Sequence, residues 1–427
     1  MKRDYIITFI TEFTMLAIGL ILYKLAASMF GQGGFSLYAL VRRDLSFLQP
    51  LLIMGLGVGI PRYIGYYSSL EETTHAEDGY FLGGLFVSII FTIIFCILAL
   101  LFTKYFGFWL FGSSYHSIMI IPLCTMLLGS NIQSLCYSYF RGKTMMIQAN
   151  LLQFTAGGVV PLISFLLFGS SIYWTLIAMG ILWFVISVLF CTYRFISINQ
   201  YLELNVIITQ TKEVFSYSIR RVPGDFALTT LLALPVTFVA HYSGITDAGF
   251  VALGIAVFGM VGSVTSPVGI ILLPQASCMI ARGNETELKQ LTMKTLKYSV
   301  FIALFLTLIF QLGSTDILNI YLGKGYEGAS NYIALILIGS VPYAVYLGSR
   351  SVLDALTIKA VNAKNLIISL SCFILISSLS CSLKLGVNGM LISFVISIYI
   401  LGALTLYQLQ RFFKNGSSRC NNRDLVI

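Results

Sequence analysis

The chain has 427 residues, 57% of them hydrophobic and only 10% charged, with a formal net charge of +9 and a mean hydropathy of +0.89. A soluble domain carries about 25% charged residues, so this composition excludes one. The apolar runs reach about 20 residues or more without strand-like alternation, which excludes a β-barrel and leaves an integral membrane protein built of helices.

Lys2-Arg3 stand before the first apolar run, Tyr5 to about Ala27, which is too long for a signal peptide and reads as a first span. Apolar runs and loop signals then predict about twelve spans, at 5–28, 35–66, 80–104, 116–140, 146–168, 172–194, 216–240, 247–275, 297–315, 331–355, 363–383 and 388–411. With the N-terminus placed in the cytoplasm, the outside loops carry only Lys104, Lys324 and Lys384. The inside loops and tails carry every other Lys and Arg that lies between spans. That asymmetry is the positive-inside pattern, predicts both termini inside, and accounts for the basic charge without a nucleic-acid partner.

Three short echoes recur at nearly one offset: Gly34-Phe35 with Gly249-Phe250, Asn150 with Asn365, and Ile60-Pro61 with Leu273-Pro274. They predict two six-helix halves, residues 1–205 and 206–427, joined by a long loop from about 195 to 215. An even number of spans per half makes the repeats parallel. Transporters built this way hold substrate near the midplane.

The eight cysteines show no C-x-x-C spacing and the three histidines are scattered, so neither disulfides nor a metal site is expected. There is no P-loop, no H-E-x-x-H and no soluble domain for a nucleotide. The chain reads as a non-enzyme without cofactor, driven by an ion gradient, the membrane potential or the substrate gradient.

Ionisable residues inside the spans carry the functional signal, because a charge at bilayer depth costs about 2.5–3.5 kcal/mol and faces a cavity or a partner. Arg42 and Arg43 are consecutive, point about 100° apart on a helix, and share one carboxylate, Asp44. They suit either a cationic wall for a phosphate-bearing substrate or a structural ion pair. Tyr343, Tyr346, Arg350, Asp354 and Thr357 make one helix face, aromatic above and charged below. That face fits a glycolipid, or an Arg350–Asp354 pair with packed tyrosines. On the fourth span Asn131, Ser134, Ser138 and Arg141 form a stripe that reads as helix–helix hydrogen bonding. Glu12 is a candidate proton or cation coupling site, or the partner of an arginine. Lys24 lies about 18 Å further along the axis, out of reach of Glu12. At the start of the seventh span, Asp225 caps the helix, pairs with Arg221, or does both.

The strings Phe35-Ser36-Leu37-Tyr38-Ala39-Leu40 and Gly55-Leu56-Gly57-Val58-Gly59-Ile60-Pro61-Arg62-Tyr63-Ile64 resemble the second span of Wzx-type polysaccharide flippases. Tyr217-Ser218-Ile219-Arg220-Arg221-Val222-Pro223-Gly224-Asp225-Phe226 is similar to the same family where its second half begins. These flippases belong to the multidrug/oligosaccharidyl-lipid/polysaccharide (MOP) exporter superfamily. The resemblance implies two six-helix halves around a central cavity in the bacterial inner membrane. It implies a polyprenyl-diphosphate-linked oligosaccharide moved outward by alternating access, for O-antigen or capsule. Proton or sodium would be the coupling ion, and the protein a monomer working beside polysaccharide-assembly proteins. Its basic cavity carries over to Arg42, Arg43 and Arg350, with Lys24, Tyr343 and Tyr346 as further substrate contacts; Glu12, Asp225, Asp354 and Arg221 are the coupling or gating candidates. Arg42-Arg43-Asp44 departs from the family pattern, where mostly uncharged residues are expected. A cation-coupled multidrug antiporter of the same superfamily is the alternative. A membrane polysaccharide polymerase is a weaker one, since its catalytic residues need a sizeable outer loop.

Overall fold

A computed structural model describes residues 2–67, 78–198, 204–281, 284–323, 325–356 and 361–415. The sequence features at Lys324 and Thr357 lie outside the described residues. Helices account for nearly all of the described chain, and no strand occurs among the described residues. It forms two compact units, Met1–Thr229 and Thr230–Ile427.

In the first unit, α1 (Lys2–Ile53) is broken by Gly31, whose φ of 65° and ψ of −172° leave the helical region. A straight helix of that length would run about 78 Å against a hydrocarbon thickness of about 30 Å, so the chain has to turn. Glycine is the residue that takes a positive φ without steric cost. A second break follows at Met54 and Gly55, with φ of 54° and 72°. It separates α1 from α2 (Leu56–Tyr67), so the predicted second span is two helical pieces. The remaining elements of this unit are α3 (Asp78–Leu101), α4 (Thr103–Phe111), α5 (Ile120–Gly142), α6 (Met146–Phe154), α7 (Val160–Phe168), α8 (Ile172–Ile198) and α9 (Leu204–Ile219). α10 (Val222–Tyr242) begins here and enters the second unit.

The second unit contains α11 (Ile245–Ala281), α12 (Glu285–Leu322), α13 (Gly328–Leu337), α14 (Ser340–Leu356), α15 (Val361–Ser382) and α16 (Gly386–Asn415). Nine candidate spans are long and apolar enough to cross a membrane among the described residues. The bent pair α13–α14 makes ten; the break at Gly31 divides α1 into two stretches, and α11 adds a shorter apolar one, Ile245–Met260, an inventory compatible with about twelve spans. Packing order recurs in the two units: α5 lies against α8 and α2, and α14 lies against α16 and α11.

Two close approaches set the first unit. On α8, a Cβ at Gly180 would fall 2.5 Å from the backbone carbonyl carbon of Thr125 on α5. Gly129 faces the carbonyl of Gly180 in return. Small residues let the backbones meet where lipid offers no hydrophobic drive between helices. The second approach is that of α9, in the stretch read from sequence as a loop: from Leu204 onward it is helix, packed on α2 and α3. Gly55 and Gly59 face Ser218, Gly79 faces Gln210 and Gly83 faces Thr211. Around this seat Asp78 accepts from the hydroxyl of Tyr139 at 2.7 Å and pairs with Lys143 at 3.1 Å.

Inside the bundle, polar side chains hold neighbouring helices. Asn131 donates to the hydroxyl of Thr92 (2.8 Å), Gln49 to the carbonyl of Ser130 (3.2 Å), and Ser138 to the carbonyl of Gly57 (3.2 Å). The indole of Trp183 donates to the carbonyl of Ala156, beside a π-helical turn at Thr155–Val159. Arg43 and Asp44 are both buried and pair at 2.8 Å, and Arg43 also donates to the carbonyl of Leu110 at 3.0 Å. Leu110 lies in the last turn of α4, where carbonyls have no helical partner and the helix dipole favours a cation. The cysteines bring one correction. Cys136 is disulfide-bonded, with its partner thiol outside the described side chains.

Gly180→Leu should lower the detergent-solubilised unfolding midpoint, since overpacking costs about 1–3 kcal/mol. Gly259→Leu, where a Cβ meets nothing within 4 Å, should leave the midpoint in place. Equal shifts in both would refute the close-approach account. Arg43→Met alone should cost about 3–5 kcal/mol by leaving Asp44 buried and unpaired, while the double change Arg43→Met, Asp44→Leu recovers most of that loss. Thermal unfolding of the two variants side by side measures it.

Candidate functional site

Each unit carries its own group of candidate side chains. In the first, Glu12 accepts from the amide of Gln153 at 3.1 Å, and Thr8, one turn earlier, accepts from Asn150 at 3.0 Å. The first stretch of α1 is thereby tied to α6 by amides. Glu12 is half-buried and within electrostatic reach of the Tyr137 phenol, over whose ring Arg141 sits at 5.5 Å. Lys24 is exposed and has no hydrogen-bond or ion-pair partner among the described residues.

The two consecutive arginines separate. Arg43 turns inward to Asp44 and Leu110, as described above. Arg42 is half-buried and lies within electrostatic reach of Tyr23 and Tyr38. Those two rings meet edge-on at 5.7 Å, with Phe35 5.9 Å from Tyr23. No carboxylate pairs with Arg42 among the described residues. Ser46, one turn on, spends its hydroxyl on the carbonyl of Arg42 at 3.1 Å.

In the second unit, Tyr343 and Tyr346 are buried. Tyr343 stacks on Phe258 at 4.6 Å and lies parallel to Tyr346 at 6.3 Å, while Phe394 meets Phe258 edge-on at 5.5 Å. Below them Arg350 is half-buried, within electrostatic reach of Tyr343, and Asp354 is exposed. Asn362 on α15 joins the two: its amide donates to the backbone carbonyl of Arg350 at 3.0 Å and to the carboxylate of Asp354 at 2.8 Å. Sequence reasoning missed Asn362, whose signal is a second asparagine one turn before Asn365. Ser349, a neighbour of Arg350, is buried with no hydrogen-bond partner for its hydroxyl among the described residues.

Arg221 and Asp225 stand at the turn between α9 and α10. Arg221 is exposed and donates to the hydroxyl of Tyr217 at 3.0 Å. Asp225 lies half-buried in the first turn of α10, its backbone amide bonded to the carbonyl of Arg221 at 3.2 Å. A carboxylate in a first turn complements the helix dipole. Among the described residues no cluster of three or more His, Cys, Asp or Glu could hold a metal.

No protein-family model matches the chain, and no curated protein does. Solved structures do. The chain is similar to a structure described as the inward-facing conformation of a multidrug resistance MATE family transporter of the MOP superfamily, with a TM-score of 0.72 at 14% identity, covering 96% of this chain and 100% of that one. It is similar to the lipid II flippase MurJ in an inward closed conformation, with a TM-score of 0.75 at 14% identity, covering 95% and 88%. It is also similar to a MOP superfamily transporter from Pyrococcus furiosus, whose binding pocket is described as having reverse polarity (0.67, 13%, 98% and 97%). At these identities the likeness is one of fold: the chain has the fold shared by MATE transporters and MurJ.

Proposed function

We propose that the protein is a flippase that carries a polyprenyl-diphosphate-linked oligosaccharide from the inner to the outer leaflet by alternating access. It would serve surface polysaccharide assembly in a bacterial inner membrane, with both termini cytoplasmic. The observation that carries the reading is Arg42: a half-buried guanidinium in a membrane-spanning helix, beside two phenols and with no carboxylate partner among the described residues. Such a charge is costly unless an anion meets it during the working cycle, and guanidinium binds phosphate oxygens bidentately. Arg350 is the corresponding candidate in the second unit. The aromatic neighbours Tyr343 and Tyr346 suit a glycan once that face opens, and exposed Lys24 adds a further cation on α1. Support for a lipid-borne cargo also comes from the likeness to a lipid II flippase.

Glu12 is our coupling group for proton or sodium, with Asp225, Asp354 and Arg221 at helix ends where gating movements would act. A multidrug antiporter is the second reading, favoured by the likeness to MATE transporters. The guanidinium of Arg42, which no carboxylate pairs among the described residues, argues against a cationic drug as cargo. Both readings are transport, with no chemistry done on the substrate.

Arg42→Ala and Arg350→Ala should each slow export about tenfold or more, from the loss of charge-assisted hydrogen bonds worth about 1.5–3 kcal/mol, with insertion intact. An impermeant sugar-oxidising probe on intact and opened cells reads the leaflet of the lipid-linked oligosaccharide. Normal outer-leaflet labelling in both variants would sink the cationic-site reading. Normal labelling in the gene deletion would turn the assignment to the antiporter. Dissipating the proton gradient should slow flipping in the wild type but make no further difference in Glu12→Gln; a wild-type rate indifferent to the gradient removes proton coupling from Glu12.

A further inference from the structure

The pair Arg62 and Arg221, on α2 and at the α9–α10 turn, belongs to none of the contacts above that hold substrate. Both guanidiniums pack on one ring, that of Tyr217 on α9, at 4.3 and 5.7 Å from its centroid. Two separate elements therefore each bring a guanidinium to the same ring. Both are exposed, and neither has a carboxylate partner among the described residues. A guanidinium laid on an aromatic face is fixed in orientation while its N–H edge stays free. Arg62 donates to no acceptor among the described residues, and Arg221 spends one donor on the Tyr217 hydroxyl.

The ring itself is held. Tyr63 meets it edge-on at 5.8 Å and stacks on Tyr80 at 4.9 Å, and Tyr80 donates to Glu213 at 2.6 Å. That bond engages the carboxylate standing one turn before Tyr217. The glycine seat beneath Ser218 fixes the neighbouring turn of α9 against α2. Between Tyr217 and Arg221, α9 exposes Ile219. Arg221 stands directly before α10, whose stretch Val222–Tyr242 is long and apolar enough to cross a membrane, so the patch sits where a lipid headgroup can reach it and an anion arriving there is carried by a lipid.

We propose that Arg62 and Arg221, braced on Tyr217, form a binding site for a membrane-borne phosphate group. The phosphate is either the diphosphate of the lipid-linked cargo, a source that rests on the function proposed above, or the headgroup of an anionic phospholipid. Two guanidinium edges supply the paired donors that phosphate oxygens accept. Tyr217 and Arg221 stand just before the apolar stretch Val222–Tyr242, so the site would gather cargo or lipid at the surface rather than move it across.

Native mass spectrometry of the full-length protein in detergent tests this with three probes: polyprenyl diphosphate, phosphatidylglycerol and phosphatidylcholine. Arg62→Gln with Arg221→Gln should weaken binding of at least one anionic probe about tenfold or more and leave phosphatidylcholine unchanged. Arg62→Lys with Arg221→Lys should restore part of it, because lysine keeps charge without the fork. Loss for polyprenyl diphosphate identifies the cargo as the source. Loss for phosphatidylglycerol with no binding of polyprenyl diphosphate identifies the phospholipid, keeps the site and counts against the proposed cargo. Wild-type binding of both anionic probes by the double glutamine variant overturns the site. So does an equal loss in Lys212→Gln, an exposed cation elsewhere on α9, since general charge would then explain the result.

Discussion

Inside a bilayer no water is available to satisfy a polar group, and every N–H, carbonyl and charge must find its partner within the protein. The first unit is arranged around that constraint. Where α1 must turn, it does so at Gly31 and again at Met54-Gly55. The second break lies under α9, with Gly55 against the backbone of Ser218. Where α4 ends, its orphan carbonyl at Leu110 is taken by Arg43, whose own charge is balanced by Asp44. A motif that looks like binding chemistry in the sequence thus closes a helix end in the structure. The neighbouring arginine has no such employment, and that contrast separates the two.

Glycine does the complementary work. Helices in lipid gain little from burying apolar side chains against each other, so they gain from approaching closely. Gly129 and Gly180 bring α5 and α8 to backbone contact, and Gly55, Gly59, Gly79 and Gly83 make a smooth bed for α9. The edge of that bed carries Asp78, Lys143, Tyr139, Tyr80 and Glu213, whose bonds fasten α9 and its surroundings. This part of the fold serves function by placement: α9 is the last helix before α10, and its seat fixes where Tyr217 and the Arg221 turn stand.

Much of this was legible in the sequence and some was not, for physical reasons. Apolar length and absence of alternation were enough for an all-helical membrane protein of about twelve spans, because hydrocarbon thickness leaves little choice. The fourth-span stripe read correctly as helix–helix hydrogen bonding at Asn131 and Ser138, since a buried amide or hydroxyl in lipid needs a partner. That Arg42 and Arg43 cannot share one seam also followed from helical geometry. Which of them turns inward did not, because it depends on α4, whose end is placed by tertiary packing. The same holds for Asn362, which reaches the carboxylate of Asp354 from another helix. The helix at Leu204–Ile219 was hidden by its mixed composition: it is half lipid-facing or exposed and half laid on glycines, so no continuous apolar run marks it.

The two carboxylates of the first unit's candidate region differ in what a proton would cost them. Asp44 is wholly buried beside Arg43, and protonating it would strand a buried guanidinium that also holds α4. Such a pair is stable as a unit and expensive to break on either side. Glu12 is half-buried, and its hydrogen-bond partner Gln153 is a neutral amide. An amide can donate to a carboxylate or accept from a carboxylic acid by turning over, which is the versatility that the coupling role proposed for Glu12 calls on. Within one unit, then, one carboxylate is spent on a buried arginine that closes a helix end, while the other meets a neutral amide.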